Sequence, residues 1–412
     1  MNTGPMLMNS RDAALRDRAR QVVPGGMWGH QNAANLPEGY PQFFARGDGA
    51  RIWDVDGREY RDFMCSWGPI VLGHRHPAVE AAVRRQLDDG DCMNGPGEAM
   101  VELAELLVST IPHADWVQFQ KNGTDATTTC VTLARTGTGR RKILVANGAY
   151  HGAVPWCSPS LTGVTAEDRA HILHYEYNDA ASLQNAVDQA GADFAGMIVS
   201  AYRHDVGRDQ EMPTLEFAAL ARKLCDATGA ALIVDDVRAG FRLSLGGSWE
   251  LVNVRPDLSA WSKAIANGYA LAAVTGNDRF REAATKVFTT GSFWTSSVSM
   301  AAALATVREM HAIDAPAHMT RIGTLLRDGL QALSVRAGLP IRQTGPVQMP
   351  MVLFEDDADL RKGQAFCSAA LRAGAYFHPR HNMFLSTAHT EADIAAALEA
   401  AEQGFAAVAA VA

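Results

Sequence analysis

Lys263, in Trp261-Ser262-Lys263-Ala264-Ile265-Ala266-Asn267-Gly268, is a lone cation between a short apolar run and a glycine turn. A lysine amine serves chemistry when its surroundings lower its pKa, because only the neutral amine attacks a carbonyl to form an imine. Taken singly, such a lysine is also an ordinary solvated charge, so groups elsewhere must decide. Asp235 ends the run Ala231-Leu232-Ile233-Val234, apolar enough for a buried central strand, and it precedes Lys263 by 28 residues (263 minus 235). A carboxylate buried there is costly unless a cation or donor meets it, and a protonated ring nitrogen would do so. Asn122-Gly123-Thr124 lies between a strand and a helix. Backbone N–H groups, the Thr hydroxyl and the positive end of the helix dipole make a phosphate seat there, or simply an N-cap. Tyr150-His151-Gly152 adds a planar aromatic at the next strand end, or else a core tyrosine.

These groups need elements to bring them together. From Trp116 onward short apolar runs alternate with helices: 117–119 leads into a helix to about Arg135, 142–145 into 147–152, and 196–200 into a helix over 214–228. The runs 231–236, 258–261 and 271–275 follow. Strands alternating with helices predict a mostly parallel sheet covered on both faces, with function at the strand ends. Before this region, 41–62 alternates apolar and polar residues around Gly49 and Asp56-Gly57 and reads as a β-meander. A Gly/Pro-rich loop at 65–69 and two helices, one from Pro77 to about Leu87 and one over 98–109, come next. After it, helices over about 298–312 and from about Ala317 precede strand-like stretches at 346–354, 375–379 and 382–386, which suggests a smaller α+β domain. The expected division is an N-terminal segment, 1–65, contributing to the small domain; a large α/β domain, 66–296; and the C-terminal part of the small domain, 297–412.

Composition narrows the partners. A chain of 412 residues, 47% hydrophobic and 20% charged with a net charge of -8, describes a soluble globular protein acting on small molecules and carries no nucleic-acid footprint. Its start shows no basic region followed by an apolar core, and no apolar run of about 18 residues occurs, so neither secretion nor membrane insertion is expected. The six cysteines are scattered without a CxxC pair, which points to reduced cytoplasmic thiols rather than disulfides or zinc. His74 and His76 before the helix-opening Pro77 read as turn chemistry, and no metal is expected.

Phosphate seat, aromatic face, carboxylate for a ring nitrogen and imine-forming lysine, taken in order, are the requirements of pyridoxal 5'-phosphate. The motifs Val23-Pro24-Gly25-Gly26, Trp53-Asp54-Val55-Asp56-Gly57, Asn122-Gly123-Thr124-Asp125-Ala126, Tyr150-His151-Gly152, Asp235-Asp236-Val237-Arg238-Ala239-Gly240-Phe241, Ser262-Lys263 and Ser386-Thr387-Ala388-His389-Thr390 extend over nearly the whole chain. In that combination the sequence resembles the class III aminotransferases among the fold-type I pyridoxal-phosphate enzymes, and within them is similar to the glutamate-1-semialdehyde aminomutase branch. The resemblance implies a seven-stranded, mostly parallel sheet in the large domain. It implies that Lys263 holds the cofactor as an imine and shuttles a proton, and that Asp235 pairs with the ring nitrogen. Gly123 and Thr124 would bind the phosphate, with Asn122 where the family usually has Ser. Tyr150, with His151 next to it among the cofactor contacts, would stack on one ring face and Val237 would press the other. Ser292, in a segment that ends at Thr295, falls where the family has a Thr reaching the neighbouring subunit's phosphate, which implies a homodimer with shared active sites.

Several positions depart from the aminomutase pattern. Its substrate-carboxylate Arg has no counterpart near Asn32, the stretch after Gly152 lacks the gating loop, and the Glu-Pro after the fourth strand is replaced by Ser200-Ala201. Arg380 is either a replacement anion site or a solvated surface Arg. Trp28, His30, Trp67 and Trp156 would line an aromatic pocket suited to an amine or β-amino acid with an apolar side chain. The expectation is therefore a transaminase that moves an amino group between an amine or amino acid and a keto acid or aldehyde through pyridoxamine phosphate. An intramolecular aminomutase is the second reading. A catalytically silent regulatory homologue is a third, disfavoured because Lys263, Asp235 and Tyr150 are all present and no DNA-binding segment is appended.

Overall fold

The computed structural model describes residues 10–411. The first nine residues, on which the reading of the chain start rests and with which the 1–65 segment begins, lie outside the described residues, as does Ala412. Thirteen strands follow in chain order: β1 (Phe44–Asp48), β2 (Arg51–Asp54), β3 (Glu59–Asp62), β4 (Trp116–Gln120), β5 (Lys142–Ala146), β6 (Ile172–Tyr175), β7 (Phe194–Ser200), β8 (Ala231–Asp235), β9 (Leu258–Trp261), β10 (Ala272–Gly276), β11 (Ile341–Thr344), β12 (Met351–Phe354) and β13 (Ala375–Tyr376).

Strands β4 to β10 form one seven-stranded sheet in the order β4-β10-β9-β8-β7-β5-β6. Every residue of β7, β8, β9 and β10 is buried, as continuous apolar runs covered on both faces must be. The pairs β5–β6, β5–β7, β7–β8 and β8–β9 are parallel, whereas β10 runs antiparallel to both β9 and β4. The reversal has a local cause. Between β9 and β10 the chain makes only a short 3-10 turn, Lys263–Ala266, closed by Asn267 at φ 44° and Gly268 at φ 101°, where a parallel return would need a long crossover.

The sequence-predicted helices stand close to their expected places: Pro77–Asp89, Glu98–Thr110, Gly123–Thr138, Leu215–Thr228 capped by the Thr214 side chain, Ser297–Ala312 and Ala315–Ala337. The edge strand β6 and the helix Ala180–Ala190 have no counterpart in the sequence reading. A second sheet, β1-β2-β3-β13, joins the N-terminal meander to the far end of the chain through parallel pairing of Ala375 with Arg61 and Tyr376 with Asp62. The stretch 382–386, expected as a strand, is irregular. Its amides are divided between two partners: Phe384 N–H donates to Phe63 O (2.8 Å), while those of Met383 and Leu385 go to Pro350 O (2.8 Å) and Gln348 O (3.0 Å). No helix among the described residues is long and apolar enough to cross a membrane.

Candidate active site

Asp235 is the last residue of β8 and is 8% exposed. Its Oδ2 accepts the Nδ1–H of His151 at 2.7 Å and its Oδ1 accepts the Val237 amide at 3.1 Å. His151 is itself buried, fixed through its carbonyl, which accepts the Thr127 hydroxyl at 2.6 Å. The histidine therefore aims the carboxylate and is aimed in turn.

Beside this pair stands the N-terminus of the helix Gly123–Thr138. Asn122 N–H donates to the Asp125 carboxylate at 2.9 Å, which closes the first turn, while the amides of Gly123 and Thr124 have no acceptor among the described residues. Two glycines permit this approach. A Cβ on Gly123 would lie 2.7 Å from Val237 Cγ1, and one on Gly152 (φ 132°) would lie 2.5 Å from Thr124 Oγ1. Both positions need the missing side chain for the helix end, Val237 and the 150–152 loop to converge.

Lys263 opens the 3-10 turn at φ 48°, a left-handed conformation that is strained for a lysine. The side chain is half-buried and its amine has no hydrogen-bond partner among the described residues. Burial first, and the nearby Arg238 guanidinium second, push its pKa down to about 7; Asp235 opposes that shift and Arg242 adds to it. The cation that stands alone in sequence is crowded by two arginines in space, both from the segment that follows Asp235. Gly68, at φ 110°, makes room for the lysine stem, since a Cβ there would lie 3.1 Å from Lys263 Cδ. The loop that carries Gly68 is unusual, with Cys65, Ser66 and Trp67 at φ 46°, 54° and 65°. It is braced by the buried Arg242, which donates to Gly68 O (2.6 Å), Ile70 O (3.0 Å) and Leu385 O. Asn267 adds a second brace: its Oδ1 accepts the amides of Val71 (2.9 Å) and Leu72 (2.8 Å), and its Nδ2 donates to Gly73 O (2.9 Å).

Trp67 then meets a wall of imidazoles: His30 at 4.4 Å between ring centroids, His381 at 5.0 Å and His378 at 5.3 Å. Nδ1 of His378 accepts the amides of His381 (2.9 Å) and Arg380 (3.2 Å), and burial, followed by the charges of Arg380 and His30, lowers its pKa to about 3. His381 donates from Nδ1 to Asn382 O at 2.6 Å, and burial with the Arg238 charge holds its pKa well below the usual value. Both rings are neutral. Arg238 itself donates from Nη1 to His381 Nε2 (3.2 Å) and to Asn382 Oδ1.

The sequence-predicted residues thus fall into groups. Asn122, Gly123, Thr124, His151, Asp235, Val237 and Lys263 surround one space, with Tyr150, 43% exposed, at its rim. His30 and Trp67 form the adjoining wall. Trp156 does not meet that wall: it stacks on His151 at 6.4 Å between ring centroids, with its indole N–H on Thr128 Oγ1 at 3.1 Å. Trp28 is 67% exposed. Arg380 contributes backbone to the wall, its carbonyl accepting from Gly207 N–H at 2.7 Å, while its side chain makes no hydrogen bond among the described residues. Ser292 is exposed and Thr295 half-buried; neither bonds to the 122–124 turn, although Phe293 between them lies 5.8 Å from Lys121 Nζ. Arg238, Arg242, Asn267, His378 and His381 join the site without having been among the residues that sequence pattern singles out. For Arg238 a signal existed, because it stands three residues past Asp235, where the chain must still line the same sheet edge.

The residues present fit pyridoxal phosphate: unaccepted helix-terminal amides for the phosphate, a buried and oriented carboxylate for the ring nitrogen, and a lysine whose pKa is lowered to about 7. Comparison with known proteins agrees. The family described as Aminotransferase class-III matches residues 34–403. An aminopentol aminotransferase of Sphingopyxis macrogoltabida is 50% identical over 403 residues, covering 98% of this chain and 96% of that protein. A glutamate-1-semialdehyde 2,1-aminomutase of Chloroherpeton thalassium is 33% identical over 96% of this chain and 98% of its own. The solved structure of the FumI protein of Sphingopyxis sp. MTA144, with pyridoxal phosphate as the internal aldimine, superposes with a TM-score of 0.96 at 50% identity, covering 97% of each chain. The chain belongs to the class III aminotransferases, fold-type I enzymes that use pyridoxal phosphate to move an amino group between an amine or amino acid and a keto acid or aldehyde.

Proposed function

We propose that the amino donor is a primary amine of the aminopentol kind and that Lys263 is the proton-transferring base. The observation that carries the reading is the convergence of Lys263, the Asp235–His151 pair and the free amides of Gly123 and Thr124 on one space walled by neutral rings. The name of the 50% identical relative supports the donor class. So does the wall of Trp67, His30, His378 and His381, which offers a neutral chain aromatic contact and hydrogen bonding without a fixed charge.

Pyridoxal phosphate, when bound, supplies an aldehyde carbon to receive nitrogen and a ring that withdraws electrons while protonated. Asn122, Gly123 and Thr124 hold its phosphate. Asp235, oriented by His151, would keep a proton on the ring nitrogen, and Val237 and Tyr150 would hold the ring between them. Lys263, its pKa lowered to about 7 by burial and Arg238, would serve as the base that takes the proton from the substrate carbon bearing nitrogen and would return it at the cofactor's C4′.

Ser292 and Thr295 complete the phosphate seat of a second copy in a homodimer. The exposure of Phe288 (90%) and Phe293 (61%) in the same segment supports a partner there. Six free cysteines support a reduced cytoplasmic setting. Shared pairing of β3 with β13 supports joining 1–65 to 297–412 as one small domain beside 66–296. The purified holoenzyme should lose its visible cofactor absorbance on adding an aminopentol-type amine and regain it on adding a keto acid. Regain without any acceptor would favour the aminomutase, and no bleaching with any amine would favour a silent homologue.

A further inference from the structure

The Arg238 guanidinium is 8% exposed and faces no carboxylate within ion-pair distance among the described residues, because Asp235 is paired with His151 instead. A buried cation without a counter-ion is costly. Its hydrogen bonds are unevenly distributed. Nη1 is pinned to His381 Nε2 and Asn382 Oδ1, whereas Nε and Nη2 have no acceptor among the described residues, and neither is sealed from solvent. Those two nitrogens share one edge of the guanidinium, and two parallel N–H groups on such an edge match the two oxygens of a carboxylate.

The position of that edge limits the ligand. Arg238 follows Asp235 by three residues (238 minus 235) and is near enough to depress Lys263. Arg238 is bonded to His381, whose ring lies 5.0 Å from that of Trp67, and Gly68, the next residue, packs against the Lys263 stem, so a carboxylate seated on Arg238 stays on the side of the wall that the lysine shares. The surrounding rings do not compete, since His378 and His381 are neutral and His381 already spends its Nε2 on Arg238. Arg380, the other candidate cation, lends the wall only backbone contacts.

We propose that the free Nε/Nη2 edge of Arg238 is the carboxylate seat for the keto acid acceptor, and for the amino acid formed from it, while the ring wall takes the uncharged chain of the amine. The site is divided into a fixed cationic corner and a neutral aromatic face, so that two unlike substrates use it in turn. This inference rests on the functional reading above.

The test uses holoenzyme of the native chain and of Arg238→Gln and Arg238→Lys, with one amine donor and two acceptors: pyruvate and propanal, which lacks the carboxylate. A second readout is the dissociation constant of propionate, which cannot react, measured by calorimetry. Arg238→Gln should lower kcat/KM for pyruvate roughly 10- to 100-fold, mainly through KM, and weaken propionate by a similar factor. Its loss on propanal should be at least tenfold smaller, and Arg238→Lys should recover part of the pyruvate loss. Equal losses on both acceptors with unchanged propionate affinity would overturn the assignment and leave Arg238 as a partner of the cofactor's phenolic oxygen or of Lys263. Should Arg238→Gln not fold, Arg238→Lys carries the same comparison, because a point charge cannot make the paired contact. Failure of the functional reading would look different: the native holoenzyme would show no amine-dependent turnover, and propionate binding would still decide the role of Arg238.

Discussion

The floor of the site and its wall are built by opposite means. The floor, comprising Lys263, Asp235, His151, Val237 and the 122–124 turn, stands at or within five residues of the ends of β5, β8, β9 and the helix Gly123–Thr138, where strand pairing sets which ends are neighbours and the bonds of His151 to Asp235 and Thr127 complete the arrangement. The wall, comprising the rings of Trp67, His30, His378 and His381 with Arg238 at its corner, hangs from loops held by hydrogen bonds between segments far apart in the chain. On the proposed reading, chemistry belongs to the half set by regular elements and substrate choice to the half that loops can remodel.

The largest effect should come from the floor. Lys263→Ala should lower amine-dependent turnover by at least about 10³-fold while the fold, followed by circular dichroism, persists. Asp235→Asn should cost about 10²-fold in kcat with little change in donor KM, because it removes charge stabilisation at the ring nitrogen rather than substrate contact. A loss confined to KM would instead place Asp235 with the wall.

Breaking the wall should read out first as stability. Asn267→Ala strips acceptors from the buried amides of Val71 and Leu72 and a donor from Gly73 O, and should cost about 2–4 kcal/mol in urea unfolding. Its kinetic effect should fall on donor KM through the displaced Trp67.

This contrast also explains what the sequence could disclose. Asp235 was legible because four consecutive apolar residues announce a buried strand whose end must point somewhere, and Gly123-Thr124 because a strand-to-helix junction has a fixed polarity. Most of the seven-stranded sheet followed from the same alternation. The wall was not legible in this way. Cys65, Ser66 and Trp67 adopt left-handed conformations that nothing in their side chains announces, and they are stabilised by Arg242 and Asn267 from beyond β8 and β9. Trp156 was assigned to the substrate pocket on chemical type alone, and its place against His151 depends on tertiary packing. The stretch 382–386 has strand-like composition but no single strand to pair with.

A smaller effect sharpens the link between the halves, since Arg238 belongs to the wall yet tunes the floor. In cofactor-free protein, acetylation of Lys263 followed by mass spectrometry should show an inflection near pH 7, with the rate falling about tenfold for each pH unit below it. Arg238→Gln should move that inflection upward. The linked stability term has a definite sign. Below pH 7 the lysine is charged in both folded and unfolded chains and its burial penalty is felt in full. Between pH 7 and its unfolded value of 10.5 the folded chain binds fewer protons, so this residue's contribution to stability rises with pH.

Everything proposed for the site depends on Lys263 being the residue that engages the cofactor. Reducing the holoenzyme with borohydride, digesting it and sequencing the peptides by mass spectrometry tests this directly. A phosphopyridoxyl group is expected on Lys263 in the peptide that contains Ser262 and Ala264; a label on any other lysine, or none, would rule Lys263 out as the imine-forming residue.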